Sequence, residues 1–295
     1  MTAWHSGDVE TNGIQLHYTR TGGSKPALVL AHGVTDNGLC WTPVAQALAA
    51  DYDVIMVDAR GHGRSQAAPD GYDPSTQAAD LHGLIAALAL HKPLIMGHSM
   101  GAVTTLVLAA MYPDVPGAIV LEDPPGWWND APDFLKEEEQ EQAGTRASAV
   151  IHGRNAADQE RLMGMREWFM GLKHKTQAEL IAEQRIASPS WAEAELGPWA
   201  ESKHQVSEHV LTIFSPQAAR IQDWASLLSA VTCPALLIMA DLERGAALTP
   251  EAAAALKALV PQLEVAQIAG AGHNIRREQF ERFMAAVRPF LAARR

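Results

Sequence analysis

Cysteine is scarce in this chain, which carries only Cys40 and Cys233 among its 295 residues. Two cysteines so far apart form no disulfide framework, and no Cys-x-x-Cys pair or Cys/His spacing typical of a metal site is present. The cysteines therefore give no sign of a metal site, and we expect no metal and no organic cofactor. It indicates two reduced thiols in a cytoplasmic protein.

Long hydrophobic runs and an excess of basic charge are also missing. No stretch approaches the roughly 18 apolar residues of a membrane-spanning helix, and residues 1–10 lack the regions of a signal peptide. Asp and Glu outnumber Lys and Arg by 34 to 23, which gives a formal net charge of −11. Because an acidic surface repels nucleic acid and anionic lipid, we expect no nucleic-acid or membrane partner. We separately expect a small-molecule substrate and a monomer or homodimer.

Short apolar runs alternate with helical patterns along most of the chain. A hairpin around Asn12-Gly13 comes first, because this pair suits a tight turn with positive φ. Apolar runs that are typical of strands buried on both faces follow at 27–31, 54–57, 93–96, 118–121 and 235–239, with a last strand at 263–268. Helical spacing between these runs predicts a parallel sheet with helices on both faces.

The alternation stops between Pro124 and about Pro216. This segment has no buried-strand run and holds five of the eight tryptophans. We interpret it as a helical cap, or lid, at 124–216, inserted after the sixth strand. The core would then consist of residues 1–123 and 217–295.

A possible nucleophile lies at Gly97-His98-Ser99-Met100-Gly101, between a predicted strand and a predicted helix. The G-x-S-x-G pattern in this setting indicates a sharp turn that lifts a serine hydroxyl above the sheet. The flanking glycines let strand and helix approach without Cβ clashes. The helix N-terminus behind the serine favours developing negative charge.

Three further motifs occur in the same order as in a known family. They are His32-Gly33, the stretch Asp58–Ser65 with its D-x-R-G-x-G-x-S pattern, and Gly270-Ala271-Gly272-His273. Together with the serine turn, they make the chain resemble the α/β-hydrolase family, in its serine-nucleophile, esterase-like branch with a helical cap. The resemblance implies a mostly parallel eight-stranded sheet flanked by helices.

The same resemblance implies roles for individual residues. Ser99 would be the nucleophile and His273 the general base, since a neutral imidazole can take the serine proton and return it to the leaving group. The backbone N–H groups of Val34 and Met100 would form the oxyanion hole. His32 would brace its loop.

The acid that orients His273 has three candidates in the sequence. The family usually takes it from the loop after the run 235–239, where Glu243 occupies the expected position and Asp241 lies close by. Some members take it from the loop after the preceding strand instead, where Asp123 stands. We favour Glu243 and keep Asp123 as the alternative, with Asp241 behind both.

Residues expected to bind substrate come from two places, the loop after the third strand and the start of the cap. They are Asp36, Trp41, Trp127 and Trp128. Aromatic side chains favour an apolar or aromatic substrate, although the tryptophans could equally pack cap against core. We expect Arg276 and Arg277 at the surface and not as ligands of a substrate anion.

The leading functional hypothesis is hydrolysis of a carboxylic ester through an acyl-enzyme. A lactonase or a C–C bond hydrolase could use the same triad, whereas a thioesterase or an amidase is a weaker alternative. A non-catalytic small-molecule binding protein on the same fold is the alternative from another class, and fold alone does not separate these hypotheses.

Overall fold

The computed structural model describes residues 4–128, 164, 166–214, 221 and 223–295. Eight strands form one sheet in the order β1-β2-β4-β3-β5-β6-β7-β8. Their bounds are His5–Thr11 (β1), Ile14–Arg20 (β2), Ala27–Ala31 (β3), Asp53–Val57 (β4), Leu94–His98 (β5), Ala118–Glu122 (β6), Ala235–Met239 (β7) and Leu263–Gln267 (β8).

The sheet is mixed, because strand β2 runs antiparallel to both β1 and β4 whereas the other pairs are parallel. The hairpin turn forms at Asn12 and Gly13, whose φ angles are 47° and 76°. Every residue of β4, β5, β6 and β7 is buried, as expected for parallel strands covered on both faces. The predicted α/β-hydrolase fold with its eight-stranded, mostly parallel sheet is confirmed.

Helices lie between and after these strands along the chain. They are Thr42–Leu48 (α1), Pro74–Ala87 (α2), Met100–Met111 (α3), Gln177–Ala187 (α4), Glu193–Gln205 (α5), Trp224–Leu228 (α6), Pro250–Leu259 (α7), Ile275–Glu278 (α8) and Phe280–Ala292 (α9). Residues 166–174 are also helical. Short 3-10 turns lie at Gly38–Trp41, Glu208–Phe214 and Leu242–Arg244.

Hydrophobic side chains pack on both faces of the sheet. One layer contains Val103 and Leu106 of α3 and Leu84 of α2. The other contains Leu48 of α1 and Phe283 of α9. Nearly every residue of α3 is buried, so the helix that follows the serine turn is held rigidly in the core.

Helix α5 lies on the loop that follows β3. Ser202 Oγ donates to the Thr35 carbonyl oxygen at 2.9 Å, and Asn37 Nδ2 donates to Gln205 Oε1 at 3.0 Å. Of the predicted cap, residues 129–163, 165 and 215–216 lie outside the described residues, and the division into core and cap stays a prediction. Throughout the described ranges, each helix is too short or too polar to span a membrane.

Candidate active site

Ser99 lies at the turn between β5 and α3 in a strained backbone conformation, with φ of 53° and ψ of −117°. Non-glycine residues rarely adopt positive φ, and such strain concentrates at functional sites. The Ser99 N–H donates to the Glu122 carbonyl oxygen at 3.0 Å, which ties the turn to the end of β6.

The two glycines of the motif are required by close backbone contacts. A Cβ on Gly97 would lie 2.1 Å from the Gly101 carbonyl oxygen, and a Cβ on Gly101 would lie 2.3 Å from that of Ala31. Any side chain at either position would push strand and helix apart. The motif therefore reflects the geometry of the turn.

His273 contacts Ser99 through one ring nitrogen and a carboxylate through the other. Its Nε2 lies 3.0 Å from Ser99 Oγ, and its Nδ1 lies 2.6 Å from Asp123 Oδ2. The loop is fixed on both sides of the ring, because Glu278 accepts from the N–H groups of Gly272 at 2.8 Å and Asn274 at 3.3 Å. A serine, an imidazole and a carboxylate in this order form the geometry of a nucleophilic triad.

His98 supports the same loop from below. Its Nε2–H donates to the His273 carbonyl oxygen at 2.9 Å, and its ring is buried. Burial holds the pKa of His98 well below its usual value, and the nearby cations Arg276 and Arg277 and the His273 ring lower it further. His98 therefore acts as a neutral hydrogen-bond donor to that loop, and in the described part of the chain it makes no hydrogen bond with the Ser99 hydroxyl.

The carboxylate that contacts His273 belongs to Asp123 and not to Glu243, which corrects the order favoured by the sequence. Asp123 is fully buried directly after β6, with φ of 41°. It also accepts from the N–H groups of Ala247 at 2.7 Å and Leu248 at 3.1 Å. Three donors thus fix this carboxylate toward the imidazole.

Both candidates after β7 point elsewhere. Glu243 is exposed in the turn Leu242–Arg244, and in the described part of the chain it makes no hydrogen bond with His273. Asp241 accepts from the Gly270 N–H at 2.7 Å and braces that loop. The sequence signal for Asp123 was its place directly after a buried strand that neighbours β5.

The loop after β3 holds the peptide of Gly33 and Val34 in a defined orientation. The Gly33 carbonyl oxygen accepts from His32 Nδ1 at 2.8 Å and from the Asp36 N–H at 3.0 Å. In a trans peptide the Val34 N–H points the opposite way, and both residues line the cleft above Ser99. Met100 is the first residue of α3, where N–H groups have no partner within the helix. Their oxyanion role stays a prediction.

His32 can hold the loop after β3 through both of its ring nitrogens only while the ring is neutral. Its Nε2 accepts from the Ala59 N–H at 3.0 Å while Nδ1 donates to Gly33. Burial, together with the neighbouring His62, lowers the pKa of His32 to about 3. The ring is therefore uncharged at neutral pH, with its tautomer set by these two partners.

A cleft of about 410 Å³ opens over Ser99 and His273. Its apolar wall consists of Trp168, Leu172, Leu180, Ala187, Trp191 and Trp199. Asp36, one of the residues expected to bind substrate, also lines the cleft. Three tryptophans belong to this wall, and none of them is among those chosen from the sequence.

The three tryptophans chosen from the sequence do not line this cleft in the described part of the chain. Trp128 is buried in the core and donates its Nε1–H to the Ala252 carbonyl oxygen at 2.7 Å. Trp127 is half-buried against the same core layer. Trp41 is fully buried beneath the Arg276 guanidinium, 4.1 Å from its ring centre. Their role is packing.

Comparison with known proteins assigns the chain to a family. The model of a family described as the alpha/beta hydrolase fold matches residues 26–276. The chain belongs to the α/β-hydrolase fold family. Its relatives in this family include the N-formylmaleamate deformylase of Pseudomonas putida, which is 30% identical over 287 residues and is matched over 97% of this chain and 96% of the relative.

Solved structures of this hydrolase family agree with the fold. An N-formylmaleamic acid deformylase from Pseudomonas putida superposes with a TM-score of 0.72 at 25% identity, covering 96% of this chain and all of that one. An E-2-(acetamidomethylene)succinate hydrolase also superposes with a TM-score of 0.72, at 24% identity, covering 98% of this chain and all of that one. At this identity the likeness shows the fold alone. The deformylase that is 30% identical to this chain supports the expectation of a hydrolase, but none of the three proteins is named for a carboxylic ester.

A buried cluster of charged side chains lies beside the hydrolase cleft, which corrects the expectation that Arg276 and Arg277 are surface residues. Both arginines are at most 4% exposed. The cluster contains three carboxylates and three cations, namely Asp36, Glu122, Glu195, Lys203, Arg276 and Arg277. Buried ions are tolerated when they are paired with opposite charges, and this cluster holds equal numbers of both signs.

Asp36 occupies the centre of this charged cluster. It lies 3.1 Å from Lys203 Nζ and 2.9 Å from Arg277 Nη2. Burial by itself would raise the pKa of Asp36, but Arg277, Lys203 and Arg276 outweigh that effect and hold its pKa well below the usual value. The cluster joins α5, the loop after β3 and helix α8 around the cleft. Each charge in it has a partner of opposite sign within the described residues.

Proposed function

We propose that this chain is a serine hydrolase that cleaves an acyl bond of a small molecule through an acyl-enzyme. The observation that carries the proposal is the contact chain from Ser99 Oγ to His273 Nε2 and from His273 Nδ1 to Asp123 Oδ2, at 3.0 and 2.6 Å. The cleft above these residues, with its tryptophan wall, supports a substrate with an apolar or aromatic part.

In the proposed first step, Ser99 Oγ attacks the substrate carbonyl carbon while His273 Nε2 takes the hydroxyl proton. Asp123 keeps the proton of His273 on Nδ1 and stabilises the imidazolium that forms. The Val34 and Met100 N–H groups would stabilise the oxyanion, and removing one such donor typically costs about 3–4 kcal/mol of transition-state stabilisation.

The oxyanion then collapses and the bond to the leaving group breaks. His273 passes its proton to that leaving group. Water, deprotonated by His273, attacks the acyl-enzyme in the second half of the cycle. This releases the acid and restores Ser99 and His273.

Two classes of acyl bond are candidates. The carboxylic ester remains the first, because it matches the triad and the apolar wall. An N-acyl or N-formyl amide is the second, since the relative that is matched over 97% of this chain is named a deformylase. Both classes require the same serine, and they differ in the leaving group that His273 must protonate.

The test compares wild type with Ser99→Ala on p-nitrophenyl esters of two to eight carbons and on N-formyl and N-acetyl p-nitroanilides. We expect turnover of at least one series by wild type and its loss in Ser99→Ala, with an unchanged thermal transition. Equal turnover by both proteins would overturn the mechanism. Tight binding of these compounds without turnover by wild type would favour a non-catalytic binding protein.

A further inference from the structure

Asn274 directly follows His273 and lines the same cleft as Ser99. Its Oδ1 accepts a hydrogen bond from Arg277 Nη1 at 2.8 Å. A guanidinium group has only donors, so the amide oxygen must face Arg277 and the amide nitrogen must face away from it. The orientation of the Asn274 side chain is therefore fixed by chemistry.

The backbone of Asn274 is held as firmly as its side chain. Its carbonyl oxygen accepts from the N–H groups of Arg277 and Glu278, each at 3.0 Å, and its own N–H donates to Glu278 Oε1 at 3.3 Å. A group that is already ordered loses little conformational entropy when it binds a ligand.

Arg277, which orients the amide, is itself immobilised. It is 4% exposed, forms ion pairs with Glu195 and Asp36, and stacks on Trp191 with 4.4 Å between the guanidinium carbon and the ring centre. The Asn274 amide is thus anchored through Arg277 to the charged cluster and to the aromatic wall of the cleft.

The Nδ2 group of Asn274 donates to no acceptor among the residues that the structure describes. The cations that line the cleft, in contrast, already have a partner in the protein, because Lys203 and Arg277 both contact Asp36. Asn274 is therefore a rigid donor, half-buried beside the catalytic base, whose N–H groups are available to a molecule in the cleft.

We propose that Asn274 is a specificity-determining residue, whose amide donates to an acceptor oxygen that the substrate carries in addition to the carbonyl group attacked by Ser99. This inference rests on the proposed function. The acceptor is either a neutral carbonyl or a carboxylate, and the experiment separates the two sources.

Asn274→Asp is the informative variant because it keeps the oxygen that faces Arg277 and replaces the donor by a second oxygen. Three matched substrates are the p-nitrophenyl esters of hexanoate, 5-oxohexanoate and glutarate. We expect wild type to prefer one or both acceptor-bearing esters over the hexanoate. In Asn274→Asp, the ratio of kcat/KM for that ester to kcat/KM for the hexanoate should fall about tenfold, as for one lost hydrogen bond to substrate.

The ratio removes effects of the new charge on His273, because those act on all three esters. A lowered ratio for the 5-oxohexanoate identifies a carbonyl acceptor. Because the new carboxylate would itself repel the glutarate, a ratio lowered only for the glutarate identifies a carboxylate acceptor when the uncharged Asn274→Leu lowers it as well. Asn274→Leu removes the donor without adding charge and should lower the same ratio. An equal change for all three esters would overturn the inference.

A binding experiment keeps this inference separate from the mechanism. Calorimetry on Ser99→Ala, with and without Asn274→Asp, measures the affinity for hexanoate, 5-oxohexanoate and glutarate without turnover. We expect an acceptor-bearing acid to bind more tightly to Ser99→Ala and to lose that advantage in the double variant. The same affinity for all three acids, or binding of none, would overturn the role of Asn274, whereas turnover retained by Ser99→Ala would overturn the mechanism instead.

Discussion

Replacing Asp123 by asparagine changes one atom at the centre of the proposed triad. The aspartate accepts three N–H groups, from His273 and Ala247 at Oδ2 and from Leu248 at Oδ1. Asparagine offers one acceptor oxygen and one NH₂ group in the same fully buried place. Whichever way the amide turns, its NH₂ group meets a donor.

Each orientation of the new amide has its own penalty. If the NH₂ group faces His273, it also meets the Ala247 N–H and forces the ring to accept at Nδ1 and carry its proton on Nε2, toward Ser99. The same wrong tautomer in a Ser-His-Asp protease lowers kcat by about 10⁴-fold. If it faces Leu248 instead, two buried donors meet, which costs about 1–3 kcal/mol of stability. We therefore expect Asp123→Asn to lower kcat by roughly 10³–10⁴-fold, with a lower thermal transition.

The assay is steady-state hydrolysis of the ester that wild type turns over fastest, combined with thermal unfolding followed by circular dichroism. Glu243→Gln is the matched control, because Glu243 is exposed and lies outside the contacts of His273. It should change kcat by no more than about twofold, as exposed substitutions usually do. A greater loss in Glu243→Gln than in Asp123→Asn would refute the assignment of the acid.

Two further predictions concern stability. Gly101→Ala should abolish folding or lower the thermal transition sharply, because its Cβ would lie 2.3 Å from the Ala31 carbonyl oxygen. Gly171→Ala has open space around its Cβ within the helical residues 166–174 and should stabilise the protein by about 1 kcal/mol. Similar urea midpoints for both variants would contradict this. Since the pKa of His32 is lowered to about 3, the unfolded chain binds one more proton between that pH and about 6.5, so the free energy of unfolding should fall as pH falls through this window. His32→Gln should flatten that slope by about 1.4 kcal/mol per pH unit in urea titrations, and an unchanged slope would show that His32 titrates normally.

The parts of the fold that depend on local pattern could be predicted from the sequence. The runs 27–31 and 235–239 coincide with β3 and β7, because parallel strands covered on both faces are apolar throughout. The serine turn could also be predicted from the sequence, because the close contacts at Gly97 and Gly101 leave no room for a side chain at either position.

The parts that depend on distant contacts could not be predicted in this way. The loops after β6 and β7 meet at the same edge of the sheet, so both Asp123 and Glu243 were plausible partners for His273. Only the three-dimensional arrangement shows that Asp123 is the buried one. Similarly, two adjacent arginines suggest side chains exposed at the surface. The carboxylates that pair with Arg277 are Asp36 and Glu195, and they lie 241 and 82 positions away from it in the sequence.

The charged cluster has a consequence for recombination between members of the family. Glu195 and Lys203 lie on helix α5, whereas their partners Asp36 and Arg277 belong to segments on either side of it in sequence. A chimera that received this helix from a relative without both residues would leave charges buried and unpaired, at a cost of about 3–5 kcal/mol for each broken pair. A helix exchanged between relatives must therefore keep both of its charged residues, and the recipient chain must supply their two partners.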